Sequence, residues 1–339
     1  MRLGKRSAPK TMSPGQLGRR RRVRTVGTAA LTVLASFGVI TPNLADAAPL
    51  QSPLHRSQGG YEELSVPSSM GAIKVQVQWA SDGGNAALYL LDGLRARSDR
   101  NAWSFETNAM DQFKNDNVTL VMPVGGESSF YTNWYGPSNL NGQKFTYKWE
   151  TFLTEELPAF LEGLGVSPRN NAIAGLSMGG SAALALAAYH RNQFRHASSF
   201  SGYLSLSSMG MREAIRLAML DAGRYNVDAM APPASPQWLR LDATVFAPQL
   251  RNLPMYVSAA SGVPGEFDRP NSALGVYNTS NAMALEALSL VGTRAFESRL
   301  ASIGIPARFD FPAAGTHSWP YWQRQLANAR PDILNALDH

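Results

Sequence analysis

Ser177 stands in Gly175-Leu176-Ser177-Met178-Gly179, a G-x-S-x-G pattern. A serine hydroxyl attacks a carbonyl only with help. A base must take its proton, a carboxylate must fix that base, and two N–H groups must hold the oxyanion. The chain has five histidines, at 55, 190, 196, 317 and 339. His190 and His196 flank the far end of the Ala-rich segment that follows Ser177, and His55 and His339 lie near the termini. His317 remains as the candidate base, in a loop between an apolar run and a helical pattern. The order serine, acid, histidine places the carboxylate between 177 and 317. Glu266 and Asp268 follow a buried-strand pattern, the usual station for the acid, and spacing does not choose between them. Glu213, Asp221, Glu286 and Glu297 fit solvated helix faces. One oxyanion donor is expected from the amide of Met178. The other is expected from the loop in "LLDGLRAR" (90–97), which also sets Asp92 and Arg95 at the mouth of the site.

Strand-like runs alternate with helical ones along the chain, which predicts an α/β sheet. "IKVQVQWA" (73–80) alternates at period two, and "ALYLLDG" (87–93) and "VTLVMPVG" (118–125) are continuous apolar runs ending in turn residues. "NAIAGLS" (171–177) runs straight into the helix that opens at the serine, the context a strained nucleophile elbow requires. Further strands are expected at 196–202, 253–262 and 307–315. Helices are expected at 149–165, 209–223 and 281–304, and from Trp319 to Leu337. Residues 203–252 read as an insertion over the carboxyl ends of the strands, with 231–238 as a loop.

Residues 1–47 read as an export signal. A basic stretch precedes the apolar run Thr25–Ile40, and Ala45-Asp46-Ala47 fits a cleavage site. This segment holds nine of the 31 Lys+Arg and one of the 25 Asp+Glu, so the remainder carries a formal net charge of −2. The basic balance therefore gives no reason to expect nucleic acid. Residues 48–60 read as a flexible lead-in and 61–339 as one domain. With no cysteine, disulfides and thiolate chemistry are excluded.

The stretches "YLLDGLRAR", "VMPVGGESSFYTNWYGP", "YKWETFLTEELP", "GLSMGGSAALALAAYH" and "GTHSWPYW" resemble, in order, those of the antigen 85 mycolyltransferases of mycobacteria and their corynebacterial relatives. The resemblance implies an α/β-hydrolase fold with a central, mostly parallel sheet, and an exported, cell-envelope acyltransferase. That family moves a long branched acyl chain from one trehalose monoester to another sugar hydroxyl. It needs no metal or organic cofactor, and its glycolipid substrates bring it against the outer lipid layer. The motif matches put the nucleophile at Ser177, the base at His317, and the acid at Glu266 within Pro264-Gly265-Glu266. They put the oxyanion donors at Leu94 and Met178, and sugar contacts at Asp92, Arg95, Ser318 and Trp319. Family cysteines before "YKWET" and near Ala259 are absent, and Glu106 and Ser205 replace an Asn and an Asp. Two other readings share the scaffold: an esterase that passes the acyl group to water, and a non-catalytic surface-binding protein.

Overall fold

Residues 58–338 are described by a computed structural model of the chain. The expected export signal, residues 48–57 of the lead-in, His55 and His339 lie outside the described residues. Eight strands form one sheet: β1 (Tyr61–Val66), β2 (Ile73–Gln78), β3 (Ala86–Leu91), β4 (Val118–Pro123), β5 (Asn171–Leu176), β6 (Phe194–Phe200), β7 (Met255–Ser258) and β8 (Arg308–Asp310). Their order is β1-β2-β4-β3-β5-β6-β7-β8. β1 and β2 join antiparallel, and every pair from β4 to β8 is parallel. β1 was not visible in the sequence because its glutamates hide the alternation.

The continuous apolar runs have a simple cause. In β3, Ala86, Leu88 and Leu90 enter one core while Ala87, Tyr89 and Leu91 enter the other. A strand covered on both faces needs no polar side.

The helices are α1 (Ala109–Phe113), α2 (Trp149–Thr151), α3 (Leu157–Glu162), α4 (Met178–Tyr189), α5 (Met211–Gly223), α6 (Val227–Met230), α7 (Pro236–Arg240), α8 (Ala243–Phe246), α9 (Ala273–Ser302) and α10 (Trp319–Ala336). The pattern predicted over 149–165 is one amphipathic run whose middle, Phe152–Glu156, is a π-helical turn. α4 packs on β5 and β6, and α10 packs on β6 and β7. They line different cores. The insertion at 203–252 carries α5 to α8, and α7 begins inside the stretch expected to be loop. α9 starts eight residues before the predicted boundary, because the Ser272 hydroxyl caps it by accepting the Gly275 N–H at 3.0 Å.

Since β3, β5, β6, β7 and β8 are parallel, the segments that leave them emerge at one edge of the sheet. Those segments begin at 92, 177, 201, 259 and 311, and they contain most of the residues singled out above.

Candidate active site

Ser177 links β5 to α4 with φ 52° and ψ −122°, a conformation that L-residues reach only under constraint. The constraint is close packing on both sides. A Cβ on Gly175 would fall 2.3 Å from the Gly179 carbonyl oxygen. One on Gly179 would fall 2.4 Å from that of Asp92. The two glycines are therefore required by backbone that cannot retreat, and β5, α4 and the segment after β3 meet at this point. The Ser177 N–H donates to the Phe200 carbonyl at 2.8 Å, which ties the elbow to the end of β6.

The donors expected for an oxyanion lie beside the elbow. A Cβ on Gly93 would sit 3.6 Å from the Ser177 Cβ, so the residue just before Leu94 packs against the serine. Met178 opens α4, where the first N–H groups of a helix have no partner in the helix. A single loop braces both donor residues. The Ser128 N–H donates to the Leu94 carbonyl at 2.9 Å, and the Phe130 N–H contacts the Met178 sulfur at 3.1 Å.

His317 stands where the sequence reading put it, after β8 and before α10, with its N–H donating to the Ala282 carbonyl at 3.1 Å. Its acid partner is different from the one expected. Nδ1 of His317 lies 2.8 Å from Oε2 of Glu286, a residue in the middle of α9. Both side chains are almost fully buried. Oε1 of Glu286 accepts the Ser201 hydroxyl at 2.8 Å and the Ala260 N–H at 2.7 Å. Ser201 in turn accepts the Trp322 indole N–H at 3.0 Å. A buried carboxylate with three partners is well satisfied. Because a carboxylate only accepts, Nδ1 carries the proton and Nε2 is the free nitrogen of the imidazole.

Glu266, the expected acid, is exposed and pairs with Arg324 at 2.6 Å. It sits on the outer side of its loop, where solvent and a guanidinium offset its charge. Asp268, the alternative, accepts the Gly265 N–H at 2.9 Å, the Thr316 hydroxyl at 2.7 Å and the Tyr321 hydroxyl at 2.6 Å. It anchors the loop that carries His317 without touching the imidazole. The sequence pattern predicts a solvated helix position for Glu286, but α9 turns its Glu286-Ser289-Thr293 face inward. One signal in the sequence did point to it: between Pro270 and Thr293, Glu286 is the only charged residue.

The other two described histidines stay away from the serine. The His190 ring lies 2.8 Å from Glu150, which also takes two hydrogen bonds from Arg240. His196 is fully buried on β6 against the Ser198 hydroxyl, and burial pushes its pKa down to about 4.

The four expected sugar contacts divide. Arg95 is exposed and pairs with Asp221, on the rim of a cleft of about 520 Å³ that Gly126, Glu127 and Tyr225 also line. Trp319 is partly buried and meets Trp103 and Trp322 edge-on, at 5.6 and 5.3 Å between centroids. Ser318 precedes α10, and its N–H donates to the Thr316 carbonyl at 2.8 Å. Asp92 makes no surface ion pair with Arg95. It is buried, and both of its oxygens accept the Ala102 N–H at 3.0–3.1 Å. Burial raises its pKa to about 7 against the pull of those backbone bonds.

The sheet order and the elbow at its carboxyl edge define the class, an enzyme with the α/β-hydrolase fold. Within that class the putative esterase family model matches residues 68–333. A diacylglycerol acyltransferase/mycolyltransferase Ag85C of Mycobacterium leprae is 45% identical over 82% of this chain and 82% of its own length. An Ag85B of Mycolicibacterium smegmatis is 39% identical over 94% and 96%. Among solved structures, Mycobacterium tuberculosis MPT51 (FbpC1) superposes with a TM-score of 0.70 at 33% identity, over 82% of this chain and 99% of that one. The chain belongs to the antigen 85 acyltransferase/mycolyltransferase family.

Proposed function

We propose that this protein transfers a long acyl chain from a trehalose ester to a second sugar hydroxyl, through an ester on Ser177. The observation that carries the proposal is the buried Glu286–His317 pair arriving at the same sheet edge as the Ser177 elbow. The names of the mycobacterial relatives supply the acyl chain class.

The buried pair and the elbow support the following steps. His317 Nε2 takes the Ser177 proton as Oγ bonds to the ester carbon, and Glu286 offsets the charge gained by the imidazole. The amides of Leu94 and Met178 hold the carbonyl oxygen. The carbon–oxygen bond to trehalose breaks, and the leaving oxygen takes the proton from Nε2. An acceptor hydroxyl then gives its proton to Nε2 and attacks the acyl carbon; the bond from that carbon to Ser177 Oγ breaks, and Oγ takes the proton back from Nε2. Arg95, Ser318 and Trp319 hold the sugar, and Asp92 fixes the segment running from the oxyanion loop to Ala102.

Export and residence at the cell envelope belong to the same proposal. Among the described residues no helix is long and apolar enough to cross a membrane. Contact with a lipid layer is favoured by Leu274, Val276 and Tyr277, exposed on the first turns of α9, and by Met209 just before α5. Incubation of residues 48–339 with a trehalose monoester should yield diester and free trehalose. Free acid as the only product would favour the esterase reading.

A further inference from the structure

The loop that leaves β7 reaches both members of the buried pair. At its start, Ala260 gives its N–H to Glu286. At its end, Asp268 meets the segment that carries His317. Oδ1 of Asp268 accepts the Thr316 hydroxyl at 2.7 Å. Oδ2 accepts the Tyr321 hydroxyl at 2.6 Å and the Gly265 N–H at 2.9 Å. Two of these three donors flank His317 in sequence, one directly before it and one a helical turn after it. The packing around them is tight. A Cβ on Gly265 would fall 2.6 Å from the Tyr321 hydroxyl oxygen, and one on Gly315 would fall 2.8 Å from the Ala260 Cβ. Backbone bonds between the two loops end at Gly315, which donates to the Val263 carbonyl at 2.7 Å and accepts the Gly262 N–H at 3.0 Å. One residue further on, the tie to this loop passes to the Thr316 side chain. Thr316 is only 1% exposed, so its hydroxyl has no solvent to turn to if Asp268 is withdrawn.

We propose that Asp268 is a positioning residue for acyl transfer: by holding Thr316 it fixes where His317 presents Nε2 to Ser177. This rests on the reading of Ser177 as nucleophile and His317 as base. The bond to Glu286 fixes Nδ1, and the Ala282 carbonyl holds the His317 N–H, so both of these contacts run to α9. Neither fixes the backbone that enters the residue from the β8 side. Asp268 supplies that restraint from the loop after β7. It does not touch the imidazole, and no proton passes through it. Its influence falls on both half-reactions alike, because His317 takes a proton in each. A displacement of about 1 Å at the base costs on the order of 100-fold in rate.

The test is steady-state hydrolysis of a nitrophenyl ester, with Ser177→Ala as the blank and a melting curve for each variant. Thr316→Val keeps the shape of the side chain and removes the hydroxyl. Its kcat should fall about 10- to 100-fold, with KM within about twofold of wild type. Thr316→Ser keeps the hydroxyl and should restore kcat to within about threefold of wild type. Asp268→Ala should lose at least as much as Thr316→Val. The double variant should lose no more than Asp268→Ala alone, because the two changes break one contact. Wild-type kcat in Thr316→Val overturns the proposal, as does a loss confined to KM or to the melting temperature. Losses that multiply in the double variant overturn it as well. If Thr316→Val fails to fold, Asp268→Ala, changed on a half-buried loop, is read by the same criteria. Hydrolysis that survives Ser177→Ala would instead overturn the reading of Ser177.

Discussion

Glu286 reaches His317 from the middle of a helix, 2.8 Å from Nδ1, and not from the loop after β7. The consequence is mechanical. α9 is anchored on the sheet through Ser201 and Ala260, which donate to the other oxygen of the same carboxylate. The orientation of the base is thereby tied to packing between a helix and the ends of β6 and β7.

The first prediction separates the two glutamates. Glu286→Gln should lower kcat on the order of 10³-fold, because the amide no longer fixes the imidazole tautomer or offsets its charge. Glu266→Gln should leave kcat within about twofold, since its partner is the exposed Arg324. Steady-state turnover of a nitrophenyl ester measures both. The opposite ranking would return the acid to the loop after β7.

A second prediction concerns the elbow. Gly179→Ala places a Cβ 2.4 Å from the Asp92 carbonyl oxygen and 2.7 Å from that of Leu91. Backbone must move, at a cost of about 2–3 kcal/mol in unfolding free energy. Gly163→Ala makes the control. Its φ is −59°, and its added Cβ would approach no closer than 3.4 Å, so the change should be neutral or add about 0.5 kcal/mol. Urea unfolding of the two variants decides the matter, and equal midpoints would refute the packing argument.

The third prediction uses two buried groups that titrate in opposition. The His196 pKa falls from 6.5 to about 4 on folding, so its contribution is present above pH 6.5 and is lost as pH drops toward 4. The Asp92 pKa rises from 3.8 to about 7, so it costs stability as pH climbs from about 4 to about 7. The two slopes partly cancel in the wild type. Relative to wild type, His196→Gln should gain stability as pH falls through this interval, and Asp92→Asn should lose it. Denaturation midpoints at pH 4.5 and 7.5 give the slopes. Parallel curves for all three proteins would show that neither group titrates as its burial requires.

The sheet and the elbow were legible because their signals are local. A strand buried on both faces reads as an apolar run, and the glycines around Ser177 answer to contacts within a few residues of the turn. His317 could be found by elimination among five. The acid could not be found this way. A buried carboxylate on a helix depends on which face the helix turns inward, and that is decided by contacts with residues 201 and 260, far away in sequence. Glu266 matched the expected loop position, yet no contact draws it inward.

The most direct measurement is intact-mass spectrometry of residues 48–339 mixed with a trehalose monoester, with and without free trehalose. Wild type and Ser177→Ala are compared. An added mass of one acyl group is expected on the wild type alone, discharged faster when trehalose is present. An adduct that survives Ser177→Ala, or turnover to diester without any need for Ser177, would contradict it.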